Sequence, residues 1–172
     1  QPALMAVSLA AARALEAGFG VKISTAAFVA GHSLGEYSAL AAAGALSVTD
    51  AARLLRNRGQ AMQAAAPAGT GAMAALIGKV DVEAAEIIAL EAGGAGTVVV
   101  ANDNNVGNVV ISGSKAGVEA AIAVAKAKGF KAISLPVSAP FHSPLMAPAA
   151  VEMETALAAA KINTPVVPIV AN

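Results

Sequence analysis

One serine in this chain sits between two glycines, in the stretch Gly31-His32-Ser33-Leu34-Gly35. The pattern G-x-S-x-G carries chemistry when an apolar run precedes it and a helix follows. Both are expected here. A sharp turn between them exposes the Ser33 hydroxyl, and the flanking glycines remove Cβ atoms that would crowd so tight a bend. A helix starting at that point aims free backbone N–H groups and its positive end at the same spot. An oxyanion formed by attack of Ser33 on a carbonyl would meet the Leu34 amide. Gly, Ala and Ser abound in this sequence, so the five residues alone also fit a chance match. The surrounding strand and helix favour a nucleophile.

A serine nucleophile needs a base. The chain has two histidines, His32 and His142. His32 adjoins the serine, and neighbouring side chains diverge at a tight turn, so a structural role bonding nearby backbone suits it better. His142 lies in Pro140-Phe141-His142-Ser143-Pro144, where two prolines restrict the backbone and can hold the imidazole in place. A solvent-exposed loop histidine is the bland alternative; the base role is preferred because no other candidate exists. No obvious acid completes a triad. Asp103 falls in a turn, and Glu152 and Glu154 fall on a helix.

Arg58 stands out for its position. In the helix expected over 48–66, Ala51, Leu54, Leu55, Met62 and Ala65 follow helical spacing as an apolar stripe. Arg53, Arg56, Asn57, Gln60 and Gln63 take the other side. Arg58 lies four residues after Leu54 and four before Met62, inside the stripe. A guanidinium cannot shed its charge, and burying it unpaired is prohibitive. Its partner is either Glu36, in a structural ion pair, or a substrate carboxylate held by a bidentate fork. A nucleophile close by favours the substrate.

The elements that must position these groups follow from pattern and punctuation. Helices are expected over 2–15, 34–43, 48–66, 82–91, 116–128 and 148–161, the third capped by Ser47 or Thr49. Strands are expected over 26–29, 72–77, 97–101, 109–112, 132–136 and 166–170, with a turn at Asp103, Asn104, Asn105 and Gly107. The middle segment reads β-α-β-β-α-β, a split βαβ or ferredoxin-like unit. This divides the chain into an α/β body at 1–67 and 138–172, and an insert at 68–137.

Composition excludes several classes. The 172 residues carry 11 Lys+Arg against 11 Asp+Glu, 57% hydrophobic residues and no cysteine. That is too apolar for disorder and lacks the basic excess of a generic nucleic-acid binder. Without cysteine there is no disulfide framework and no thiolate metal site, and two histidines are too few for a typical zinc cluster. No membrane span is expected. The longest charge-free stretches, 59–78 and 132–151, are broken by Pro and Gly and fall short of a continuous apolar helix of about 20 residues.

Four blocks together resemble the malonyl-CoA:acyl-carrier-protein transacylase family. They are Gly31 to Ala39, Arg58-Gly59-x-x-Met62-Gln63, Gly69-Thr70-Gly71-Ala72-Met73, and Pro136-Val137-Ser138-Ala139-Pro140-Phe141-His142. The resemblance runs over nearly the whole chain, and the serine block is its most specific part. It implies an α/β-hydrolase-like body with an inserted ferredoxin-like subdomain. The implied reaction carries malonyl from coenzyme A to the phosphopantetheine thiol of acyl carrier protein, in fatty-acid biosynthesis. Ser33 matches the acylated nucleophile, His142 its base, Arg58 the carboxylate grip and the Leu34 amide one oxyanion donor. Met62 and Phe141 fall in substrate-binding blocks, Phe141 in the malonyl-preferring version of its motif, and Asn102 and Asn104 match asparagines near the family's cleft. The resemblance further implies a cytoplasmic monomer that needs no cofactor and no metal. The family's N-terminal Gly-Gln-Gly segment and a glutamine after the final strand have no counterpart between Gln1 and Asn172, so a core fragment is expected. A serine esterase or thioesterase, and a non-catalytic carrier-binding fragment, are the rival readings.

Overall fold

The computed structural model describes residues 1–137 and 139–172. Ser138, part of the fourth block and the first residue of the body's expected second half, lies outside the described residues. The chain is a mixed α/β protein that divides into two compact units, Gln1–Gln60 with Glu152–Asn172, and Ala61–Val151.

The first unit opens with α1 (Pro2–Phe19). Pro2 suits a first turn, and Gly20 ends the helix in the left-handed region at φ 69°, its N–H bonding back to Glu16. The helix runs four residues past the expected end because Gly18 is tolerated inside the last turn; Gly20 is the true stop. Among the described helices, α1 alone is long and apolar enough to cross a membrane by length and composition. Length and composition are all that this rests on, and α1 holds Arg13 and Glu16, so it does not overturn the expectation of no membrane span.

Strand β1 (Val29–Ala30) pairs in parallel with β6 (Ile169–Val170). Both are shorter than the expected apolar runs, because among the described residues two of each strand have ladder partners. Between β1 and helix α2 (Gly35–Ala42) lies the serine turn. Helix α3 (Val48–Ala65) is capped by Ser47, whose Oγ accepts the Asp50 N–H at 3.0 Å. In this unit Ala51, Leu54 and Leu55 of the α3 stripe pack with Met5, Leu46 and Met153.

The second unit holds β2 (Gly71–Ile77), α4 (Val82–Ala92), β3 (Val98–Asn105), β4 (Asn108–Ser114), α5 (Lys115–Ala127) and β5 (Lys131–Ser134). Their sheet has the order β3-β4-β2-β5, with every neighbouring pair antiparallel. Asp81 and Ser114 cap α4 and α5 through side-chain bonds to the Ala84 and Gly117 N–H groups. One sheet face presents Ala74, Leu76, Val109 and Ile111 to Ile88 and Val118 of the two helices. The other presents Met73, Ala75 and Val110 to Leu135, Val137 and Phe141. Both faces of β2 are therefore covered, which is why its sequence is apolar throughout rather than alternating. The expected turn at 103–107 is tighter than its composition suggested: Asp103 and Asn105 stay in the ladder, with bulges, and Val106-Gly107 make the turn. Helix α6 (Ala147–Ala158) follows a short 3-10 turn at Pro144–Met146.

Candidate active site

The turn carrying Ser33 is built by steric need. A Cβ on Gly31 would overlap the Gly35 carbonyl carbon and oxygen, so only glycine lets the chain fold back so closely. Ser33 adopts φ 53°, a left-handed conformation that L-residues avoid. The Gly35 N–H bonds the His32 carbonyl at 2.9 Å and the Glu36 N–H bonds the Ser33 carbonyl at 3.2 Å, starting α2. Leu34 occupies the N-cap position and its side chain packs against the core. Among the described residues the Leu34 N–H meets no acceptor, so it remains open to a ligand.

Arg58 comes from α3 to the same point. Its Nη2 donates to Ser33 Oγ at 2.9 Å, and its Nη1 donates to Gln1 Oε1 at 2.8 Å. The alternative partner, Glu36, forms no ion pair with it: among the described residues the ion pairs within 4.0 Å do not include Arg58. Burial pushes the guanidinium below its usual pKa, while Tyr37 and Glu36 nearby favour its charge. Burial also raises the Tyr37 hydroxyl, against the pull of Arg58. The cluster thus holds a desolvated cation beside a hydroxyl oxygen, with one unused N–H at the head of a helix. An anionic group arriving there would find a guanidinium with donors to spare.

Sequence reasoning missed two partners. Asn172 Oδ1 accepts the Ser33 N–H at 2.9 Å, and the Asn172 N–H donates to Glu36 Oε2 at 3.0 Å. Gln1 and Asn172 lie 57 and 139 residues from the groups they touch, so no local spacing pointed to them.

The family described as "Acyl transferase domain" matches the chain over residues 1–172. The chain belongs to this family. Malonyl CoA-acyl carrier protein transacylase of Escherichia coli K12 is 48% identical over all of the chain and 55% of its own length. The Bacillus subtilis protein of the same name is also 48% identical, with 53% of its length covered. The crystal structure of acyl-carrier-protein-S-malonyltransferase from Bartonella henselae has 54% identity and a TM-score of 0.94, covering 100% of this chain and 55% of that one. A type II polyketide synthase acyl-carrier protein in complex with its malonyl-transacylase gives 42% identity and a TM-score of 0.92, covering 99% of this chain and 54% of that one. The chain spans about half the length of the relatives it matches.

The remaining candidate residues of this acyl transferase chain lie in the second unit. His142 has φ 57°, and with Ser33 it makes the pair of non-glycine residues at positive φ among those described. Its loop is pinned: Ser143 Oγ donates to the Pro140 carbonyl at 2.7 Å, and the Phe141 N–H bonds the Ala139 carbonyl at 3.0 Å. Pro140 in turn lies where a Cβ on Gly71 would be. Met62 and Phe141 meet in one apolar cluster with Ala66, Ala139, Met146 and Ala149. Asn102 is half-buried on β3; Asn104 is exposed, its Nδ2 turned to Asn108 Oδ1 across the hairpin at 3.4 Å. His32 is exposed and its carbonyl accepts the turn's Gly35 N–H.

Proposed function

We propose that this chain is the serine-bearing core of an acyltransferase that moves malonyl from coenzyme A to the phosphopantetheine thiol of an acyl carrier protein, a step of fatty-acid biosynthesis. The contact of Arg58 Nη2 with Ser33 Oγ carries this reading. It puts a permanent cation where the far carboxylate of a short dicarboxylic thioester would lie when its carbonyl reaches the serine.

Ser33 Oγ attacks the thioester carbon while His142 takes its proton. The oxyanion meets the Leu34 N–H and the positive end of α2. The C–S bond breaks, the imidazolium returns its proton to the departing coenzyme A thiolate, and malonyl remains on Ser33 as an ester. The carrier thiol, deprotonated by His142, repeats the steps in reverse order of partners. Arg58 leaves its place on Ser33 Oγ to pair with the malonyl carboxylate. In this reading Met62, Phe141, Asn102 and Asn104 are further substrate-binding residues. The strained φ at both Ser33 and His142 supports their pairing as nucleophile and base, since such strain gathers at reactive residues.

The accompanying architecture is an α/β-hydrolase-like body over 1–67 and 138–172 with a ferredoxin-like insert over 68–137; the β3-β4-β2-β5 antiparallel order with two crossover helices supports the insert. A cytoplasmic, monomeric enzyme without cofactor or metal completes the reading.

Incubation with malonyl-CoA followed by intact-mass and peptide analysis should show one malonyl ester on Ser33. A label on another residue rejects the assignment. Arg58→Ala should lower malonyl transfer by about 10²–10³-fold while acetyl transfer is kept or gained. Equal loss of both would make Arg58 structural. Hydrolysis outrunning transfer to pantetheine thiols would favour the esterase.

A further inference from the structure

The Ser33 turn is gripped from outside its own helix. The bonds from the Gly35 and Glu36 N–H groups back to His32 and Ser33 begin α2, as the first turn of any helix would. Neither holds the Ser33 N–H, and so neither fixes the peptide plane from which φ is measured. Asn172 does, through Oδ1 at 2.9 Å. With that plane held, φ 53° sets the direction of the Cα–Cβ bond and hence of Oγ toward Arg58 Nη2. With it free, the residue can relax to negative φ and swing the hydroxyl away.

The strut is itself oriented. The β1–β6 ladder ends at Ala30 opposite Val170 and delivers Asn172 alongside the turn. Glu36 Oε2 then accepts the Asn172 N–H at 3.0 Å. Glu36, which sequence offered as an ion-pair partner of Arg58, spends its carboxylate on Asn172 instead. A carboxylate in the first turn of α2 is also where the helix favours one.

We propose that Asn172 is a positioning residue for the Ser33 hydroxyl, oriented in turn by Glu36. The proposal rests on Ser33 being the nucleophile. Single-turnover acylation by malonyl-CoA, with KM and melting temperature, tests it in Asn172→Ala, Asn172→Asp, Glu36→Ala, Glu36→Gln and the Asn172→Ala/Glu36→Ala pair. Asn172→Ala should cut the acylation rate about 10–100-fold with KM little changed, the signature of a misdirected nucleophile rather than lost substrate binding. Asn172→Asp, which keeps an acceptor oxygen, should recover most of the rate. Glu36→Ala should lower it in the same sense, and the double variant should fall no further than Asn172→Ala, because Glu36 acts through Asn172. Should Asn172→Ala fail to fold, Glu36→Gln against Glu36→Ala gives the same comparison, with Gln the milder. A wild-type acylation rate in Asn172→Ala, a rise in KM alone, or fully additive losses would overturn the proposal. Labelling by a fluorophosphonate, which needs only a reactive hydroxyl, separates the two claims. Wild type labelled by that probe but not by malonyl-CoA rejects the malonyl reading, and the labelling rate of Asn172→Ala then judges the positioning. Ser33 inert to both rejects both.

Discussion

A left-handed backbone at a residue bearing Cβ costs on the order of 1–3 kcal/mol, and this chain bears that cost at Ser33 and at His142. The cost can be measured without reference to activity. Ser33→Ala and Ser33→Gly both remove the hydroxyl, but only glycine occupies φ 53° without penalty. Chemical denaturation should therefore find Ser33→Gly more stable than Ser33→Ala by about 1 kcal/mol, with neither acylated. His142→Gly should exceed His142→Ala in the same way. Tyr37 gives a pH prediction. Its folded pKa is raised by burial above the usual value of about 10, so the folded state holds the proton more tightly than the unfolded chain. Its contribution is complete below about pH 10 and is lost as pH rises toward the folded value. Between about pH 8 and about pH 11 the melting temperature of wild type should fall relative to that of Tyr37→Phe. Ser33, His142 and Arg58 stand out as candidates in the sequence because each violates a local expectation: a serine in a glycine bend, a histidine between prolines, a cation in an apolar stripe; the structure brings Arg58 to Ser33.

The elements show why the serine block tolerates little change. Gly31→Ala drives a Cβ into the Gly35 carbonyl, backbone against backbone, with no flexible side chain to yield. Loss of about 3 kcal/mol or more is expected, together with loss of acylation. Gly18, near the end of α1, is the opposite case: a methyl group added there would have nothing within 4 Å. Gly18→Ala should raise stability by roughly 0.5–1 kcal/mol in the same assay and leave acylation unchanged. Helices and the middle strands were readable because capping residues, glycine stops and apolar runs are local signals. The ladder bounds were not. Residues 26–28 look like strand but have no ladder partner among the described residues, while Asp103 and Asn105 look like turn but are recruited into β3 by pairing with β4. Pairing depends on a distant strand, and local composition does not report it.

At the scale of the molecule, each unit has its own core, and burial rather than residue type decides what a substitution costs. Ile111 is fully buried in the second unit, whereas Leu90 on α4 is 82% exposed. Ile111→Ala should cost about 2–5 kcal/mol and Leu90→Lys about 0.5 kcal/mol or less, read from denaturant midpoints. The expectation of a discontinuous body over 1–67 and 138–172 rests on the middle segment reading as a self-contained β-α-β-β-α-β run, whereas the contacts divide the chain at Gln60 and Val151. The closing contacts of the first unit could not be inferred: Gln1 and Asn172 reach Arg58 and Ser33 across sequence gaps that no periodicity spans.

That gap has a consequence for biosynthesis. Asn172 follows Ser33 by 139 residues. At a ribosomal pace of ~5–20 residues per second, the strut is added about 7–28 s after the serine it holds. Throughout that interval the hydroxyl rides on a nascent chain whose bend has not been locked. With Asn172 positioning Ser33 as proposed, reactivity is withheld until that far later stretch threads in beside β1.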